Sequence, residues 1–354
     1  MRNKIKLRSQ SAQVILDAAR EKGVKAEVIS KRFHLLKLTY NGKSLFIKGT
    51  SFPVNSQPAC LIAENKFLTK KVLRIHKIAV PKSWLVRTPK EAKETILRKN
   101  LFPCVLKPVK GNHGNRVFAN IESLAEFDEV LPLVFTGPGK KNVLIEEFIK
   151  GKDYRLLVVG NKVSAVMERI PAHVIGDGIN NIRQLIRLFN QNPLVGERYE
   201  KPLCKIRFNG EVRRNLRKQG RRSTHIPQKE ERIFLRQNAN ISTGGIGKDV
   251  TYEVNHGLKE MAIAATKAIG MVITGVDIIY DEVSNKPYVL ELNDCSGIDI
   301  HHYPMWGQPR EVASDIIEFL LKNNLSTLTP LRDPAKAGTL GKDSEWLRNS
   351  HNKK

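Results

Sequence analysis

The chain has 354 residues, 41% of them apolar, and a formal charge of +25. That length and composition allow two or three domains with sizeable cores and exclude a disordered chain. No apolar run reaches the ~18 residues of a membrane span, and the basic start MRNKIKLRSQ leads into an amphipathic helix pattern, not a signal peptide.

In chain order, residues 1–62 read as a small α/β segment. The helix pattern SAQVILDAAREKG closes at Gly23, and the strand-like KAEVIS, LLKLTY and SLFIKG come after it. A second unit, 63–143, opens on the helix NKFLTKKVLRIHK. It continues through KSWLVR, the helix PKEAKETILRKN, the strand CVLKPV, the turn KGNHGN and the strand RVFANI. A third, 144–325, takes up the strand NVLIEEFI and the hairpin DYRLLVVGNKVSAVMERI, which turns at Gly160-Asn161. The helix NIRQLIRLFNQN, a polar basic stretch from about 193 to 230 and the strand RIFLRQN come next. The helix HGLKEMAIAATKAIG, the two strands of GVDIIYDEVSNKPYVLELN and the closing helix PREVASDIIEFLLKN complete the unit. Residues 326–354 are polar and expected to form a flexible tail. Helices mixed with antiparallel hairpins give an α+β fold.

Cys60, Cys104, Cys204 and Cys295 are widely spaced with no CxxC pair, which fits reduced thiols in a cytoplasmic protein. The positive charge suits nucleic acid or anionic substrates. Its densest run, EVRRNLRKQGRR, has no interleaved aromatics, and no reader motif occurs, so nucleic acid is not the expected partner.

Four constellations carry chemistry. Glu291 and Asn293 lie two apart on one strand face, and Asp277 reaches that face if the strands pair across the turn near Ser284-Asn285. Two carboxylates and an amide oxygen form a hard donor set suited to Mg²⁺; edge-strand acids neutralised by lysines are the plainer alternative. In VLKPVKGNHGNRV, Lys107 ends a buried strand, and the loop with Gly111, Asn112, His113 and Gly114 can fold over phosphates. Taken singly those glycines read as a hairpin turn, and there is no GxxxxGK[ST] motif. In VLIEEFIKGKDYRLLVV, the carboxylates Glu146, Glu147 and Asp153 suit ribose hydroxyls, while the hinge backbone at Phe148 and Ile149 suits an adenine edge. Arg155 and Arg169 interrupt apolar strands and need anionic partners. In FLRQNANISTGGIGKDVT, Arg236, Asn238, Asn240, Ser242 and Thr243 precede Gly244-Gly245; such donors suit a carboxylate or oxyanion, or else form a loop of Asx and Ser/Thr turns.

Together, in this order, these segments resemble an ATP-grasp carboxylate–amine ligase over roughly residues 60 to 322. IPAHVIGDGINNIRQLI, NPLVGERYEKPLCKI and IFLRQNANISTGG resemble the ATP-grasp part of cyanophycin synthetase and of the bifunctional glutathione synthetases. The resemblance implies the ATP-grasp fold, two α+β lobes clamping ATP. Lys66 and Lys107 would contact its phosphates, and Asp277, Glu291 and Asn293 would hold Mg²⁺, with two ions expected and Mn²⁺ acceptable. Arg155, Arg169 and Arg236 are the implied catalytic residues, and the donors at 238–245 the implied substrate site. The implied reaction turns a carboxylate into an acyl phosphate that an amine attacks, releasing ADP and phosphate. Small-molecule or peptide substrates, acidic in character, are expected; no membrane is, and a homodimer stays open. Ser296 in NDCSG, where the family usually has proline, and Gly247-Lys248 in STGGIGKDVT leave the substrates undefined. With no glutamate–cysteine ligase domain before it and no Mur-ligase-like domain after it, the chain is expected to be neither complete multidomain enzyme. A ligase acting on a ribosomal or carrier-bound peptide, or a basic nucleic-acid-associated protein on an ATP-grasp scaffold, are the rival readings.

Overall fold

In the computed structural model, residues 6–111, 116–136, 142–197 and 200–323 are described. The chain opens with α1 (Gln10–Glu21), capped by Ser9, and the antiparallel sheet β1 (Lys25–Ser30), β2 (Leu35–Tyr40) and β3 (Lys43–Lys48). The apolar face of this segment is not closed on itself. Ile15, Leu36 and Ile47 share a core with Leu157, Ile273, Ile316 and Leu320. The boundary expected at residue 62 falls inside α2 (Gln57–Glu64), so no linker separates the segment from the second unit.

Asn65 turns the chain from α2 into α3 (Lys66–Ile75), its side chain accepting the Phe67 and Leu68 N–H groups. Next come β4 (Ser83–Val86), α4 (Pro89–Lys99), β5 (Cys104–Pro108), β6 (Phe118–Ile121), α5 (Leu124–Phe135) and β7 (Val143–Glu147). Their strands form an antiparallel sheet in the order β4-β7-β5-β6. Periodicity alone does not signal α2, which is only eight residues long, or α5, whose helical pattern is broken by Pro132.

The remaining chain forms β8 (Lys152–Val159), β9 (Lys162–Ile170), β10 (His173–Ile175), α6 (Ile182–Gln191), β11 (Val195–Gly196), β12 (Leu203–Cys204) and α7 (Gly210–Lys218). It continues through β13 (Arg232–Phe234), β14 (Ile246–Asp249), α8 (His256–Ile269), β15 (Ile273–Asp281), β16 (Lys286–Asn293), α9 (Asp299–His302) and α10 (Val312–Asn323). Five strands make an antiparallel sheet, β14-β9-β8-β15-β16, with α3 and α8 packed against it. The polar stretch 193–230 holds a folded unit: α7 is capped by Asn209, and its Val212 and Leu216 join Ile182, Ile186 and Ile233 in a core. The tail expected at 326–354 lies outside the described residues, and among those described no helix is long and apolar enough to cross a membrane. None of the four cysteines forms a disulfide among the described residues.

Candidate functional site

β15 and β16 pair so that Asp277 stands opposite Glu291 and Gly275 opposite Asn293, with a bulge after Asp277. The strand pairing on which the sequence reading of this trio depended is therefore met. Asp277, 2% exposed, is held by two arginines from the neighbouring strands. Arg155 binds it through Nε and, at 3.0 Å, through Nη2, and Arg169 Nη2 lies 3.0 Å from the same carboxylate. Arg169 also donates to Asp153 at 2.6 and 2.8 Å. Gly275 permits this approach, because a Cβ there would lie 1.9 Å from Ser296 Oγ and 2.9 Å from Arg155 Cδ. Lys66, first in α3, reaches Glu291 at 2.9 Å and the Gly111 carbonyl at 2.8 Å.

The facing wall comes from the four-stranded sheet. Glu146 on β7 is shared by Lys107 at 2.8 Å and Lys70 at 3.4 Å, and Lys70 also approaches the Leu290 carbonyl at 3.3 Å. Lys70 is fully buried, and desolvation outweighs Glu146 to bring its pKa down to about 8. Burial also works against the ionised Glu146 and Glu291, yet Lys107 and Lys70 for the first, and Lys66, Lys107 and Arg155 for the second, hold both below the usual carboxylate range. Asp153 is different: burial raises its pKa in spite of Arg169. Four carboxylates and five cations thus meet in these ion pairs, and with Glu147, which also lines the cleft, acidic and basic groups are equal in number.

The cleft holds about 980 Å³, counting the space through which it opens to solvent. Pro81, Val105, Ile279 and Leu290 line an apolar slot beside the hinge residues Phe148 and Ile149, a shape suited to a flat aromatic base. A second cavity of about 1870 Å³ adjoins it at Lys66, Gly111, Arg169, Asn240 and Glu291, and runs to Ser9, Ser11 and Thr50 of the N-terminal segment. At the rim, α7 grips the opposite lobe. Arg214 and Arg217 pair with Glu129 at 3.2 and 3.0 Å, and Lys218 with Glu126 at 2.7 Å.

Most of the residues picked from the sequence line these cavities, with clear exceptions. Arg236 is 5% exposed, bonded to Glu211 and on neither wall; the nearby anion that a buried arginine needs is supplied by α7. Thr243 Oγ1 donates to Asn240 O at 2.9 Å and closes the turn locally. Gly244 and Gly245 serve close packing, since a Cβ on Gly244 would lie 2.4 Å from Ile206 and one on Gly245 would lie 2.8 Å from Asn240 O. Asn238, Asn240 and Ser242 do line the cavities. Glu147 lines the cleft, but its Oε1 accepts the Lys82 N–H at 2.7 Å. Asn112, His113 and Gly114 lie outside the described residues. Sequence reasoning misses Lys70, Gln237 and the apolar slot. Lys70 has a usable signal: it comes four residues after Lys66 and so shares its helical face.

The donor set fits Mg²⁺. Asn293 Nδ2 donates to Gly275 O at 3.4 Å, so its amide oxygen is the atom that could serve as an acceptor in the set. Those carboxylates are balanced by cations that an incoming polyphosphate would draw away, and their hard oxygens match the metal. Among the described residues no group of three His, Cys, Asp or Glu forms a metal cluster, so the amide is needed to complete the set.

A family model described as "RimK-like ATP-grasp domain" matches residues 63–178 and 235–317. The chain is 35% identical over 318 residues to the glutathione biosynthesis bifunctional protein GshAB of Listeria innocua, covering 88% of this chain and 41% of the relative. It is 31% identical over 347 residues to cyanophycin synthetase of Crocosphaera subtropica, covering 96% and 39%. Among solved structures, a bifunctional glutathione synthetase from Pasteurella multocida superposes with a TM-score of 0.64 at 29% identity, covering 89% of this chain and 43% of that one. The chain thus spans about two-fifths of the length of the curated relatives it matches.

Proposed function

From the premise that this chain belongs to the RimK-like ATP-grasp family, we propose that it is an ATP-dependent ligase joining a carboxylate to an amine. One observation carries the reading: Asp277 and Glu291 stand opposite each other on paired strands, inside a cleft that also gathers Lys66, Lys107, Arg155 and Arg169. The apolar slot receives the adenine, and Lys66 and Lys107 turn from their acids to the phosphates. Asp277, Glu291 and Asn293 then hold Mg²⁺, with two ions expected and Mn²⁺ an acceptable substitute; bound there, the metal offsets the charge of the phosphates and of the transferring group. Arg155 and Arg169, which both line the second cavity, orient the carboxylate to be phosphorylated. Like charges ~4 Å apart repel by about 4 kcal/mol at an effective dielectric of 20, so this density of cations answers a physical need. α7, latched across the rim, limits the access of water that would hydrolyse the activated acid. The carboxylate substrate is acidic, in keeping with a charge of +25, and its KM rises with ionic strength.

The test is Mg²⁺-dependent ADP release by Glu291→Ala over a panel of carboxylates and amines. Loss of turnover in a variant that still unfolds cooperatively is the expected result. Undiminished release would remove Glu291 from the metal and overturn the reading.

A further inference from the structure

One wall of the second cavity has no part in that scheme. Asp299, the first residue of α9, lines the cavity and is only 3% exposed. Its Oδ1 accepts a hydrogen bond from Ser11 Oγ, and that hydroxyl in turn accepts the Ile298 and Asp299 N–H groups at 3.0 and 3.3 Å. Glu146, Asp153, Asp277 and Glu291 of the nucleotide cleft each face a lysine or arginine. Asp299 faces none: burial raises its pKa, opposed only by Ser11 and its own N–H, with no cation among the described residues contributing. In a chain with so many basic side chains, a buried carboxylate left without one is a costly arrangement awaiting a positive partner.

Its position says which part of a ligand it meets. The two cavities share Lys66, Gly111, Arg169, Asn240 and Glu291, so phosphoryl transfer belongs to that junction. Asp299 lies in the unshared part, with Ser11, Thr50 and Ser296. Ser296 stands between the two regions, 3.5 Å from Arg155 Nη1 on one side and with its carbonyl 2.7 Å from Thr50 Oγ1 on the other. The cations of the cavity are already engaged or at the junction. Lys66, Arg155 and Arg169 have acid partners, Lys201 donates to Pro193 O at 2.7 Å, and Lys110 adjoins Gly111.

Resting on the ligase reading above, we propose that the amine substrate carries a second, non-reacting ammonium or guanidinium group, and that Asp299, oriented by Ser11 of the N-terminal segment, receives it. The acidic carboxylate substrate and this cationic amine are then sorted by opposite walls. Asp299 is a binding residue and Ser11 a positioning one.

The experiment compares L-lysine, its uncharged isostere L-norleucine, and L-glutamate, by calorimetric binding to the full chain with Mg²⁺ and a non-hydrolysable ATP analogue, and by ADP release. Lysine should bind at least tenfold tighter than norleucine, with glutamate weakest, and Asp299→Asn should collapse the lysine–norleucine gap while leaving nucleotide affinity unchanged. A wild-type protein that does not favour lysine, binds none of the three, or keeps its full gap in Asp299→Asn overturns the proposal. The wild-type ranking decides the matter even if the variant fails to fold. Failure of the ligase reading looks different: the nucleotide analogue does not bind, or no carboxylate elicits ADP release.

Discussion

Lys70→Met offers the sharpest test of how the cleft is balanced. In the wild type two buried ammonium groups share Glu146, so that set of three carries one net positive charge. Methionine keeps the length of the side chain and leaves a neutral Lys107–Glu146 pair. Burial brings Lys70 from 10.5 down to about 8, and at about 1.4 kcal/mol per tenfold this weighs about 3 kcal/mol against the charged folded form. Part of that gain is lost with the contacts to Glu146 and Leu290 O, so stabilisation of about 1–3 kcal/mol is expected near pH 7. The pH profile carries the signature. Below pH 8 the lysine is protonated in both states and the penalty is complete. Between pH 8 and 10.5 the folded protein releases the proton while the unfolded chain keeps it, so wild-type stability rises with pH. The variant lacks this rise. Activity should move the other way, because Glu146 then draws on Lys107 alone; KM for ATP should increase by roughly tenfold, a stability gained against function. Thermal unfolding at pH 7 and 9.5, with an ATP titration of ADP release, reads both effects. A variant less stable than wild type by several kcal/mol, with an unaltered pH slope, would refute the reasoning.

Gly275→Ala should lower kcat/KM by roughly 100-fold, because the new Cβ collides with Ser296 Oγ and pushes Arg155 off Asp277; steady-state ADP release measures it. Lys218→Ala removes the contacts to Glu126 at 2.7 Å and Glu122 at 3.4 Å, and should raise KM for ATP about threefold, as rim ion pairs contribute up to about 1 kcal/mol. High salt should reproduce that effect in the wild type and add little in the variant, which an ionic-strength series of KM checks.

The strands and most helices can be read from the sequence because their signals are local. KAEVIS and LLKLTY become β1 and β2 with the expected bounds, since each alternates its side chains in a short run between turn residues. The metal-type trio is legible for the same reason: a period of two puts Glu291 and Asn293 on one face, and a short turn almost obliges the neighbouring strand to bring Asp277 alongside. Lys70 reads as one lysine among many, because nothing local shows that Glu146, 76 positions away, will be its partner. The partner of Arg236 is hidden on the same account. A buried arginine requires an anion, and only the packing of α7 reveals that Glu211 supplies it. Asp299 looks ordinary until folding brings Ser11 to it across 288 residues. Propensity and periodicity act over a few residues, so the order of amino acids is enough to say which elements form and which chemical groups the chain carries. Which charges neutralise each other, and which buried carboxylate is left over, emerges only in three dimensions, because an ion's burial and its counterion are set by distant segments meeting in space.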